Sequence, residues 1–113
     1  MGSLPPQAVM IEVILRDAIR KRKCLTGVYD GAVRRFAPHA LGATTKGTPG
    51  VFVFQYSGAS SKSLPRGGDW RCLHIDALSH LVENDDRWRT RSNYSLSRQS
   101  CLARIDLAVT TSS

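Results

Sequence analysis

Three histidines, His39, His74 and His80, and three cysteines, Cys24, Cys72 and Cys101, are the side chains best suited to metal binding or proton transfer. Zinc ligands normally arrive as tight pairs, Cys-x-x-Cys or His-x-x-x-His, and the chain contains neither. His74-Ile75-Asp76 would set an imidazole and a carboxylate on one face of a strand. Such a pair can be a base with its orienting group, two metal ligands, or a histidine with a structural partner; the last is the ordinary case, and no metal is expected. Serines are plentiful, but there is no Gly-x-Ser-x-Gly, and the glycines match neither a P-loop nor a dinucleotide fingerprint. No catalytic residue is assigned, and neither an enzyme nor a cofactor is expected. The odd number of cysteines argues against a disulfide framework, so all three are expected as small buried apolar side chains.

Basic residues are the more informative group. Sixteen Lys and Arg against nine Asp and Glu give a net charge of +7 and a pI near 9.9. Such a domain attracts polyanions, of which nucleic acid is the commonest inside cells. The cations gather at Arg20-Lys21-Arg22-Lys23, at Arg34-Arg35, and at Arg87, Arg89 and Arg91. The last three alternate, so along an extended segment their guanidinium groups share one side. Nothing here points to sequence-specific readout, which needs ordered contacts to base edges.

The elements that must position these groups can be read from periodicity. The 113 residues, 42% hydrophobic and 22% charged, make one domain, 1–113. No apolar run exceeds the four residues 51–54, and no secretory signal is visible, so a soluble cytoplasmic protein with no membrane partner is expected. Residues 1–6 are a tail whose Pro5-Pro6 suits a helix entrance, and 7–23 is a helix with Ile11, Ile14, Leu15, Ala18 and Ile19 on one stripe. Strands are expected at 24–29 and 32–37, joined by an Asp30-Gly31 hairpin turn. Pro38 should bend the second strand or make it an edge running to about residue 45. A turn at Lys46-Gly47-Thr48-Pro49-Gly50 leads to a strand at 51–56, apolar enough to be buried on both faces. Residues 57–69 form a long polar loop. The strand 70–76 sets Trp70, Cys72, His74 and Asp76 on one face and Arg71, Leu73 and Ile75 on the other. A last strand follows at 77–82, then a polar turn at Glu83-Asn84-Asp85-Asp86. The segment 87–113 reads as a basic tail and then a helix capped by Ser97, with Cys101, Leu102, Ile105, Ala108 and Val109 on one face. The expected fold is α+β, mainly β: a small five-stranded barrel built from 24–86, with an N-terminal and a C-terminal helix.

Several segments in order resemble the WYL domain family of bacterial regulators, and specifically its short members that lack a helix-turn-helix. They are Ala18-Ile19-Arg20 with 25–29, then Arg35-Phe36-Ala37-Pro38-His39-Ala40-Leu41-Gly42, Gln55-Tyr56-Ser57-Gly58-Ala59-Ser60-Ser61, and Trp70-Arg71-Cys72-Leu73-His74-Ile75-Asp76. Tyr94 followed by Arg104-Ile105 is similar to the family's closing segment. The naming Trp-Tyr-Leu is absent, Phe52-Val53-Phe54 standing roughly in its place, and His74 stands where the family has arginine. The resemblance covers about 11–109. It implies an Sm-like (SH3-like) barrel and a sensing role, in which an anionic ligand regulates an attached or partner module.

The candidate ligand-binding set is Tyr29, Arg34, His39, Gln55, Tyr56, Arg71 and His74. Arginine forks onto phosphate, tyrosine stacks on a base, and glutamine or histidine hydrogen-bonds a base edge. The expected function is non-catalytic binding of single-stranded nucleic acid or a nucleotide-like anion. The alternative is a protein-interaction module, docking a separate regulator through the C-terminal helix or an exposed strand edge near Pro38.

Overall fold

The computed structural model describes residues 6–59 and 64–110. Most of the expected tail, the middle of the expected 57–69 loop and residues 111–113 lie outside the described residues.

The stripe Ile11, Leu15, Ala18 and Ile19 is what makes the first segment a helix, α1 (Pro6–Lys21), with all four side chains buried. Glu12–Arg16 and Asp17–Lys21 add ion pairs one turn apart on its outer side. The helix stops because Arg22 turns left-handed (φ 53°). The amides of Arg22 and Lys23 then donate back to the carbonyls of Ile19 and Ala18, and Arg20 and Lys21 sit at the negative end of the dipole.

Six antiparallel strands follow: β1 (Leu25–Tyr29), β2 (Ala32–Thr44), β3 (Pro49–Gly58), β4 (Asp69–His74), β5 (Leu78–Glu83) and β6 (Leu102–Ala108). Asp30 and Gly31 both take positive φ (50° and 78°), which gives the β1–β2 hairpin its tight turn. A single 3-10 turn, Ile75–Ala77, links β4 to β5. The sheet order is β4-β3-β2-β1-β5, with β6 laid on the far half of β2. The register of β2 shifts between Pro38 and Ala40, so its first half pairs with β1 and its second half with β6, while β3 follows it along both.

The fold departs from two expectations. The sheet is open, with β4 and β5 at the two ends of its order, so it is not a closed five-stranded barrel. There is also no C-terminal helix among the described residues. Ser97 begins no more than a turn, in which the Gln99 amide reaches the Ser95 carbonyl, and 102–108 is the sixth strand. That segment finds the free side of bent β2, where Gly42 admits it: a Cβ there would lie 1.8 Å from the Arg104 carbonyl oxygen. Register shifts between Leu41 and Gly42 and between Ala43 and Thr44 break the strict alternation of β6. Leu102 and Val109 are buried while Ile105 is 38% exposed. Two bulges thus imitate a helical period in the sequence.

The sheet forms the middle layer. On one side α1 packs on Leu25, Phe36, Leu41, Val51, Val53, Leu73, Ile75, Leu78 and Leu81. On the other, Phe52, Ala40, Tyr94, Cys101 and Leu102 make a second cluster beneath the connector 84–101, with Trp70 and Leu96 against it. The central part of β3 is therefore buried on both faces, as its composition predicts. Cys72 and Cys101 are joined by a disulfide (S–S 2.07 Å, Cα–Cα 5.3 Å), which corrects the expectation of three free cysteines. Cys72 lies on β4 two residues from Trp70, and Cys101 reaches it at the end of the connector. Nothing local in the sequence announces that meeting. Cys24 is the free cysteine, buried under Phe54 and Ala37.

Candidate anion-binding groove

Strand β4 and the end of the connector enclose a hollow of about 520 Å³. Its walls come from the β2–β3 turn (Thr44, Thr45, Lys46), from Phe52, from Trp70, Arg71, Cys72 and His74, and from the connector between Asn93 and Cys101. Phe52 and Trp70 are stacked in its floor, centroids 4.9 Å apart and 11° from parallel. Tyr94 stacks on Trp70 at 5.4 Å. The Trp70 indole Nε1–H donates to Asn93 Oδ1 at 2.9 Å and ties the connector to the strand. Further along, the Gln99 side chain clamps Leu102, accepting from its amide at 2.7 Å and donating to its carbonyl at 2.8 Å. Together with the disulfide, these bonds hold the wall in place.

Lys46, Arg71, His74 and Arg98 line this hollow, and no Asp or Glu does. Arg71 also bonds Asp69 at 3.0 Å, so part of its charge is answered from the strand itself. Lys46, on the β2–β3 turn, is exposed. A low-polarity floor ringed by cations suits a ligand that carries phosphate or carboxylate beside a flat ring.

Of the seven candidates, Arg71 and His74 meet in this hollow, and the rest are placed elsewhere. Tyr29 is buried and its hydroxyl accepts the His74 backbone N–H at 3.0 Å, which fixes β4 from beneath. Arg34 is buried with its guanidinium 4.9 Å over the Tyr29 ring. Gln55 is wholly buried and donates to the carbonyls of Ser57 and Ala59. The Tyr56 hydroxyl donates to Asp86 at 2.6 Å and accepts from Asn84 at 3.3 Å, while Arg89 lies 4.2 Å over its ring. Burial, and then the bond to Asp86, push that phenol well above its ordinary range. Tyr56 is thus a pin between the sheet and the start of the connector.

His39 lies behind the groove. Its ring is within 4.7–4.9 Å of Trp70, Trp88 and Tyr94, and Nδ1 is 2.8 Å from the Ala37 carbonyl. Burial pulls its pKa down to about 4, with the Arg22 charge adding to the fall and the Ala37 bond opposing it. The imidazole is neutral at pH 7. Among the described residues, the buried side-chain polar atoms without a hydrogen-bond partner are Arg34 Nε, His39 Nε2 and Gln55 Oε1, all from the candidate set. Cys24 keeps its proton, because burial raises its thiol, and its Sγ lies 3.4 Å from the Arg87 carbonyl. No group of three or more His, Cys, Asp and Glu among the described residues is arranged to hold a metal ion.

The groove residues that sequence reasoning missed are Lys46, Phe52, Asn93 and Arg98, and it placed Trp70 without a role. Trp70 shares the strand face of His74, so alternation was a usable signal for it. Arg98 carried none, since only the docking of the connector brings it to β4. Both surfaces expected to dock a protein partner are absent: 102–108 is a strand, and β2 near Pro38 is buried. Pro38 pairs with Val53 on one side, and on the other the Val109 amide donates to the His39 carbonyl at 2.7 Å. No helix among the described residues is long and apolar enough to cross a membrane. No protein-family model, curated protein or solved structure matches the chain.

Proposed function

We propose that this chain is a non-catalytic sensor module resembling the WYL domains, which takes an anionic, base-bearing ligand in the groove between β4 and the connector. The ligand class is a nucleotide or single-stranded nucleic acid, and its binding regulates an attached or partner module. The observation that carries this reading is the lining of the groove: Lys46, Arg71, His74 and Arg98 around the stacked Phe52–Trp70 pair, with no carboxylate among them. Lys46 and Arg98 neutralise phosphate, Arg71 forks onto it, His74 hydrogen-bonds, and the aromatic floor takes the base. We place the module in the cytoplasm, where such ligands are, against the Cys72–Cys101 disulfide, a bond that persists mainly in oxidising compartments.

The test is fluorescence anisotropy with labelled single-stranded DNA, single-stranded RNA and duplex DNA at several salt concentrations. Single strands are expected to bind at micromolar or tighter Kd near physiological salt. Arg98→Ala and Lys46→Ala should each weaken binding roughly fivefold, while Arg20→Ala on the outer face of α1 leaves it unchanged. Equal, low-salt-only binding of all three polymers would reduce the interaction to net charge and remove the groove from it.

A further inference from the structure

The hollow at Lys46 and Arg98 does not end at the Trp70–Asn93 hydrogen bond. A second concavity of about 370 Å³ lies across that bond and shares Trp70 and Asn93 as wall, adding Phe54, Arg91 and Ser92. A third, of about 550 Å³, shares Arg91 and Ser92 with the second and runs on to Trp88, Tyr94 and Arg22. Shared wall residues thus link the three in series along the connector. Each contains at least one arginine and a partly exposed aromatic ring: Arg98 with Trp70, Arg91 with the other side of Trp70, Arg22 with Trp88; Phe54, at the base of the second hollow, is buried beneath Arg91. Trp70, Trp88 and Tyr94, which wall these hollows, all close on one buried ring, that of His39, so the aromatic surface is a single packed unit. The one carboxylate among the three linings is Asp69, which already bonds Arg71 and the Trp70 amide.

From this layout we infer that the ligand is a single strand of several nucleotides lying along the connector, not a mononucleotide seated in the first hollow. The inference rests on the function proposed above and narrows it. A mononucleotide is satisfied by the first hollow alone, which is of ordinary small-ligand size, and leaves the second and third hollows unfilled. A strand of about four or more nucleotides repeats phosphate and base along its length, as cations and rings repeat here. Arg91 is held for that use by its bond to the Gly67 carbonyl at 2.7 Å and its place 4.7 Å over Phe54. Arg22 is held by its bond to the Thr110 carbonyl at 3.1 Å. Both of these carbonyl partners are neutral.

The experiment is a length series: thymidine monophosphate and oligothymidylates of increasing length, competed against a labelled oligomer on the wild-type chain. Affinity is expected to climb with length until the strand spans all three hollows, then level off. Arg22→Gln together with Arg91→Gln should lower the affinity of the long oligomers roughly tenfold and flatten the log–log salt dependence by about 0.7 per arginine. The monophosphate should bind the double variant as it binds wild type. Equal affinity for monophosphate and long oligomer on the wild-type chain overturns the inference and leaves the first hollow as a nucleotide site. Unchanged oligomer binding by the double variant overturns it too. Absence of binding by every member of the series rejects the function on which it rests.

Discussion

Breaking the Cys72–Cys101 bond is the perturbation whose cost can be worked most directly from the structure. The bond joins residues 29 apart in sequence and closes a loop that holds β5 and the whole connector. For a loop of that length, the chain-entropy relation gives the reduced unfolded chain about 12 cal/mol/K more freedom, or about 3.6 kcal/mol at room temperature. A domain of this size has roughly 5–15 kcal/mol of stability in all, so the loss is a large share of it. The expected fall in Tm is roughly 15 °C. Urea unfolding, followed by the fluorescence of Trp70 and Trp88, checks this with and without reductant. Cys72→Ser with Cys101→Ser should behave like the reduced protein and should ignore reductant. Coincident midpoints for oxidised and reduced protein would refute the loop-entropy reasoning. Ready alkylation of both Cys72 and Cys101 in protein purified under oxidising conditions would refute the contact itself.

Three further outcomes follow from single contacts. His39 is neutral in the fold, with a pKa near 4 against the ordinary 6.5, so its contribution is complete above about pH 6.5 and is lost as the pH falls toward 4. Between pH 7 and pH 5 it should account for about 2 kcal/mol of lost stability, read as the difference in urea midpoints between wild type and His39→Phe; parallel pH profiles would show that the imidazole is not buried. Gly42→Ala drives a methyl group into the Arg104 carbonyl and should cost about 2 kcal/mol or more, with loss of amide-exchange protection in β6; an unchanged melt would mean that β6 does not pair there. Tyr56→Phe removes the 2.6 Å bond to Asp86 and should cost roughly 1–3 kcal/mol in thermal unfolding, whereas a neutral substitution would show the connector's first turn to be held by other bonds.

Local signals were the legible ones. The stripe of α1, the Asp30-Gly31 turn and the doubly apolar β3 each declare themselves within a few residues, and each forms as read. Strand β6 was not legible, because its two bulges put Leu102 and Val109 in the interior at a spacing that a helix would also produce. The groove was half legible. Alternation along β4 puts Trp70 and His74 together, and Arg71 reaches the same hollow from the edge strand; Arg98, Asn93 and Lys46 come from other parts of the chain, and only tertiary packing brings them there. Tyr29, Arg34, Gln55 and His39 have the chemistry of a binding surface but sit in the interior. There the Tyr29 hydroxyl accepts a backbone amide, the Gln55 amide donates to two carbonyls, and His39 is enclosed by three aromatic rings. Their residue types suggested a surface role, and their depth could not be read from type.

The proposed ligand site is one groove, along the connector and β4. Its most direct test is a two-dimensional nitrogen–proton NMR titration of the labelled protein with a long oligothymidylate. Binding in the groove predicts shifts confined to the amides of 22, 44–46, 68–74, 88–101 and 109–110 and to the indole signals of Trp70 and Trp88, with the body of α1 and β5 undisturbed. Shifts spread evenly over the basic surface, or centred on α1 with the Trp70 indole unmoved, would contradict it.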